Sequence, residues 1–88
     1  MEFKRSPDLS VNHISDECVV LDGSDGGCHV LSETAGWLLS IADDFVRVER
    51  ASQLAEERYE IAPGVNVEGE IVRVLDEMAA RLLVELRH

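Results

Sequence analysis

The sequence predicts an α+β domain, a three-stranded antiparallel meander followed by three helices, on three observations. Strand-like alternation with short turns is confined to residues 9–31, helical periodicity begins at Ser32, and the longest apolar repeat, from Ile71 onward, has helical spacing. A run of strands followed by a run of helices places the helices on one face of an antiparallel sheet.

Taken in order, residues 1–8 carry Lys4, Arg5 and Pro7 with little apolar content and read as a flexible arm, so residues 9–88 make up the single domain. Leu9 and Val11 alternate and suggest a strand ending near His13. Ser15, Asp16 and Glu17 form a polar turn, and Cys18 to Leu21 is a β-branched second strand. Asp22 to Gly27 is a turn whose glycines permit positive φ, and Cys28 to Leu31 is the returning strand.

Ser32 can cap a helix, Glu33 suits the positive end of its dipole, and Leu38, Ile41, Ala42 and Phe45 recur at helical spacing, so the first helix is expected from Glu33 to Asp44. Trp37 and Leu38 anchor it on the sheet, or Trp37 is half exposed at a binding surface. A second helix is expected from Glu49 to Tyr59, with Ala51, Leu54, Ala55 and Arg58 on successive turns; it is short enough that packing must hold it. Ala62 before Pro63, with Gly64 after it, breaks the chain. The third helix, Val67 to Leu83, shows Ile71, Leu75, Met78, Leu82 and Leu86 on one face. Arg73 and Glu77 are one turn apart, an ion pair worth a few tenths of a kcal/mol. The expected core is Leu31, Leu38, Ile41, Leu54, Leu75, Met78 and Leu82.

Eighty-eight residues hold one core and no second lobe, and 45% apolar with 30% charged residues is an ordinary globular balance. Eighteen acidic residues against eight Lys and Arg give a net charge of -10, which repels phosphate backbones and anionic lipids, so neither nucleic acid nor membrane is an expected partner. No segment has the ~20 apolar residues of a membrane span, and the first residues lack the apolar core of a signal peptide. A cytoplasmic location follows as the expectation. There Cys18 and Cys28 stay reduced, and both read as small buried strand residues.

Catalytic chemistry has few candidates. Cys28 and His29 are neighbours in one strand and point to opposite faces, so they cannot form a thiolate–imidazolium pair. His13, Cys18, Cys28 and His29 are plausible ligand types, but their spacing matches no structural zinc pattern. Gly23 to Gly27 lacks the lysine of a phosphate loop and leads into a strand rather than a helix. Asp43 with Asp44 and Glu56 with Glu57 read as solvated surface. The expectation is a protein without metal, cofactor or enzymatic activity.

Read as one block, Glu17 to Leu39 resembles the PqqD-like family of small peptide chaperones. The shared pattern is an apolar strand, a Gly-containing turn, a second strand ending here at Leu31 and Ser32, and an apolar helix with Ala35 and Trp37 to Leu39. Gly26, His29 and Leu31 resemble the branch called the HPr-rel-A system PqqD family peptide chaperone. The order continues through Leu54 to Tyr59 and the Val67 to Leu83 helix, covering roughly residues 9 to 84. Cys28 departs from the usual Thr or aliphatic residue, and Arg81-Leu82 stands where the family often has Arg-Gly.

The resemblance implies a winged helix-turn-helix-like domain that binds the leader of a precursor peptide by strand addition and presents it to a peptide-modifying enzyme. Carried onto this sequence, the peptide site is Cys28, His29, Val30 and Leu31 on the third strand, with Ile71, Val72, Arg73, Leu75 and Asp76 on the last helix. Two other readings compete. A winged helix can read DNA, although this last helix is net acidic. A free strand edge can also make a structural adaptor or a homodimer.

Overall fold

Six strands and three helices follow one another in the computed structural model, which describes residues 1–88: β1 (Glu2–Arg5), β2 (Leu9–Ile14), β3 (Glu17–Asp22), β4 (Cys28–Ser32), α1 (Glu33–Ser40), β5 (Val46–Arg47), α2 (Val48–Arg58), α3 (Val67–Ala80) and β6 (Val84–Arg87). The expected meander is present as a sheet in the order β2-β3-β4. Its register pairs Val11 with Val20, His13 with Cys18, and Cys18 with Leu31. Side chains alternate along a strand, so Cys18, Val20 and Leu31 share the buried face while Leu21 and Val30 are exposed on the other. The β3–β4 turn is closed by the Asp22 carboxylate, which accepts from the Ser24 N–H at 2.9 Å and hydroxyl at 2.6 Å. Those bonds hold the Asp22 carboxyl below its usual range.

Helix α1 packs on this sheet through a close approach. A Cβ on Gly36 would lie 2.5 Å from the Cys18 sulfur and 2.6 Å from its Cβ, so glycine is what lets the helix backbone meet the strand. Ser32 caps the helix, its hydroxyl accepting from the Ala35 N–H at 3.2 Å. Cys18 is buried as expected, and burial pushes its thiol up. Cys28 is not: it is exposed, because its position puts it on the outer face with Leu21.

The N-terminal residues correct the expectation of a flexible arm. Glu2–Arg5 is the central strand of a second antiparallel sheet, order β5-β1-β6, with Phe3 fully buried between Val46 and Leu86. Four residues of Glu-Phe-Lys-Arg carry one apolar side chain, and both partner strands lie far along the chain, so no local pattern announces the pairing.

Helix ends also differ from expectation. Helix α1 stops at Ser40, whose hydroxyl donates to the Trp37 carbonyl at 2.7 Å, and Phe45 lies outside it beneath the Arg87 guanidinium at 3.9 Å. Helix α3 stops at Ala80. Leu83 N–H reaches back to the Met78 carbonyl at 2.9 Å and Leu82 N–H to Ala79 at 3.0 Å, the paired bonds of a Schellman cap with Leu82 at φ 62°. Leu82 therefore turns out to solvent, 77% exposed, and Leu83 takes the buried place expected of it. Leu86 belongs to β6 instead of the helix. Leu31, Leu38, Leu75 and Met78 are buried as expected, while Ile41 and Leu54 are half-buried at the margin.

Candidate functional site

An edge strand leaves half of its backbone groups without partners, and β4 is such an edge. The bond from Asp22 N–H to the Gly27 carbonyl, 2.8 Å, sets the phase of the β3–β4 ladder. By the alternation of an antiparallel pair, His29 and Leu31 direct their N–H and C=O groups to β3, and those of Cys28 and Val30 point outward. Across from this edge lies a groove of about 180 Å³, bordered by Val30, Leu31 and Ser32 on one side and by Val74, Glu77 and Met78 of α3 and its C-cap residue Arg81 on the other. Asn66 fixes the start of α3, its side-chain oxygen accepting from the Gly69 N–H at 3.0 Å.

On the other side of Ser32 and Val74 lies a larger pocket of about 380 Å³ among α1, α2, α3 and the loop that joins the last two. Its walls are mainly apolar: Trp37, Ala55, Tyr59, Ile61, Val65, Val67, Ile71 and Val74. The Trp37 and Tyr59 rings meet edge to face, 5.7 Å between centroids and 88° between planes. Glu33 ties this corner together. It accepts from the Tyr59 hydroxyl at 2.7 Å and from Arg58 at 2.7 Å, and Arg58 also donates to the Tyr59 oxygen at 3.1 Å. The Tyr59 hydroxyl and the guanidinium hold the Glu33 carboxyl below its ordinary range, while burial and the bond to Glu33 push the Tyr59 phenol up.

The nine residues expected to meet a peptide are divided by the structure. Val30 and Leu31 border the groove, and Cys28 and His29 precede them on the same edge. Ile71 lines the larger pocket, and Arg73 stands at its rim between Glu70 at 3.1 Å and Glu77 at 3.0 Å. Leu75 is fully buried in the core and offers nothing to a ligand. Val72 faces away, toward Met1 and Val48, and Asp76 borders neither cavity.

The helix flank turned to β4 is therefore Glu70, Val74, Glu77 and Arg81, spaced by four, three and four, on the opposite side of the core stripe from Val72 and Asp76. Periodicity located the stripe but not which flank looks at the sheet, since handedness relative to β4 is a tertiary fact. Trp37, offered by the sequence as either a sheet anchor or a half-exposed residue at a binding surface, is buried and lines the larger pocket, while Tyr59, the C-cap residue of α2, was missed as a cavity residue. His13, Cys18, Cys28 and His29 do not converge, and no group of three or more His, Cys, Asp and Glu side chains comes together to hold a metal. No helix is long and apolar enough to cross a membrane.

An open strand edge facing the flank of a long helix, inside a small winged-helix-like α+β domain, defines a class of peptide-accommodating architecture. Residues 17–84 match the family model for coenzyme PQQ synthesis protein D (PqqD), and the chain belongs to the PqqD family. Two solved structures share the fold. "TbiB1 in Complex with the TbiA(beta) Leader Peptide" superposes with a TM-score of 0.75 at 24% identity, covering 97% of this chain and 98% of the other. "Lasso peptide synthetase B1 complexed with the leader peptide" gives 0.73 at 22% identity, covering 98% and 100%. A search of the curated proteins found no significant match.

Proposed function

We propose that this protein is a non-catalytic peptide chaperone that takes up the leader of a precursor peptide as an added strand on β4, opposite α3, and presents it to a peptide-modifying enzyme. The observation that carries this is the outward-facing backbone of Cys28 and Val30 above the groove to α3, in a chain of the PqqD family. Both structural relatives carry a leader peptide, which supports the same use of the fold. Main-chain bonds give such a site its affinity and the groove gives it selectivity. With a net charge of -10, binding favours leaders carrying Lys or Arg, and association slows as salt rises.

The test uses binders selected from a displayed library of random 16-residue peptides, with the TbiA(beta) leader as a second probe. Val30→Pro deletes one outward N–H without touching the ladder to β3, and Val30→Ala keeps it. The proline variant is expected to lose at least tenfold in affinity while the alanine variant stays near wild type. Equal binding by the two variants would refute strand addition.

A further inference from the structure

In a chain with 18 Asp and Glu against eight Lys and Arg, one cation at the site is left without a partner. Five of the eight pair with carboxylates, Lys4 lies over the Phe45 ring at 5.7 Å, and Arg50 donates to Gln53 at 3.4 Å. Arg81 does none of these, and it borders the groove between β4 and α3. We infer that Arg81 is a specificity-determining residue that takes the carboxylate of one Asp or Glu side chain in the peptide added to β4. The inference rests on the peptide-chaperone reading and adds to it one position whose charge preference is opposite to that of the rest of the leader.

Three features leave Arg81 to a ligand. First, Glu77 stands four residues before it, the favourable order for an ion pair on a helix, yet Glu77 is engaged by Arg73 at 3.0 Å, which also holds Glu70 at 3.1 Å. The one free charge along the groove is therefore the positive one. Second, the backbone at Arg81 is fixed: its N–H donates to the Met78 carbonyl at 3.1 Å, and Leu82, at φ 62°, turns the chain away. Only the side chain is left for a ligand to order. Third, the groove is apolar apart from Ser32 and Glu77, so a peptide lying in it shields the new pair from water and strengthens the attraction.

Position follows from the two borders. Ser32 and Val74 border both cavities, and Arg81 stands about two helical turns past Val74, so it marks the end of the groove away from the larger pocket. Residues of an added strand opposite His29 and Leu31 point their side chains to the face of the sheet that holds Cys18 and Leu31, the helix side. Of the two, the position opposite His29 is at the Arg81 end, and the acidic residue belongs there.

The displayed 16-residue peptides supply the probe. Selection on the wild type is expected to return Asp or Glu at one fixed offset in an alternating stretch, within peptides otherwise enriched in Lys and Arg. Changing that residue of a selected parent peptide to its amide should weaken binding about fivefold, the upper range for an exposed ion pair. Arg81→Gln should weaken the parent by the same factor and bind the amide peptide as the wild type does. Arg81→Glu should weaken the parent at least about tenfold, and Lys at the same peptide position should recover the affinity. Arg50→Glu makes the same change in net charge away from the groove and should stay within about twofold of the wild type for the parent. Circular dichroism melts check folding, and Arg81→Gln carries the test if the reversed charge unfolds the domain.

Selected peptides with no fixed acidic position, Arg81 variants that bind the parent as the wild type does, or a loss in Arg50→Glu equal to that in Arg81→Glu would overturn the assignment while leaving strand addition standing. So would a folded Arg81→Glu protein that the Lys peptide does not rescue. Wild-type binding by Val30→Pro, or no selectable peptide at all, would remove the strand-addition reading and the assignment with it.

Discussion

The two sheets have equal strand number and opposite construction. Strands β2, β3 and β4 are consecutive, joined by tight turns, and leave Ile14, Leu21 and Val30 exposed on their outer face. No Lys or Arg occurs between Arg5 and Arg47, so the acidic residues of this sheet meet no Lys or Arg from their own strands. Strands β5, β1 and β6 come from three separate parts of the chain and close around Phe3, with Arg5 paired to Asp43 and Arg87 to Glu2 at 2.9 Å. One sheet is held by local turn chemistry and keeps an edge open. The other has long-range pairing and fastens the two ends of the chain beneath α3. A surface meant to accept another strand belongs on the sheet whose own register is set locally, because its edge carries no part of the closure.

The sharpest way to break this contrast is to remove one side chain from each sheet. Phe3→Ala should cost about 3–5 kcal/mol, since a fully buried aromatic is lost. Leu21→Ser, on the exposed outer face, should change stability by less than about 0.5 kcal/mol. Urea unfolding of both variants decides it, and comparable losses would mean that the two sheets carry the fold alike. Gly36→Ala comes next, because its new methyl meets the Cys18 side chain. A loss of about 1–3 kcal/mol is expected, with amide shifts concentrated on β2, β3 and α1; an unchanged melt would show that α1 and the meander do not meet so closely.

A smaller effect of opposite sign is expected on the closing side. Leu82 caps α3 in the left-handed region and is solvent-exposed, so Leu82→Gly removes a backbone penalty and should stabilise by about 1 kcal/mol. Thermal melts measure it, and destabilisation would mean that the Leu82 side chain makes contacts its exposure hides. The smallest effect concerns Glu33. Its folded-state carboxyl is held low, so its bonds to Tyr59 and Arg58 stabilise the fold above the ordinary carboxylate range and are lost as pH falls through the lowered value. Trp37 fluorescence should follow that acid titration in the wild type and be flat over the same window in Glu33→Gln.

The meander was legible in the sequence because every determinant is local: alternation, a glycine turn and the cap at Ser32. The closing sheet was not, since Phe3 pairs with Leu86 near the opposite end of the sequence, a contact that no local pattern specifies. Leu82 and Leu83 show a finer limit. Adjacent leucines fit one helical stripe equally well by type, and the Schellman cap, not hydropathy, decides which is buried. In the candidate site, the edge strand was read correctly as an edge, while the flank of α3 facing it depended on a rotation about the helix axis that periodicity leaves open.

The most direct test is a residue-by-residue amide titration of the folded protein with a selected peptide. Shifts are expected to concentrate at Cys28, Val30 and Ser32 and at Val74, Glu77 and Arg81, and to vanish in Val30→Pro while Val30→Ala retains them. Shifts clustered on β5, β1 and β6, or on the β2 edge, would contradict strand addition at β4.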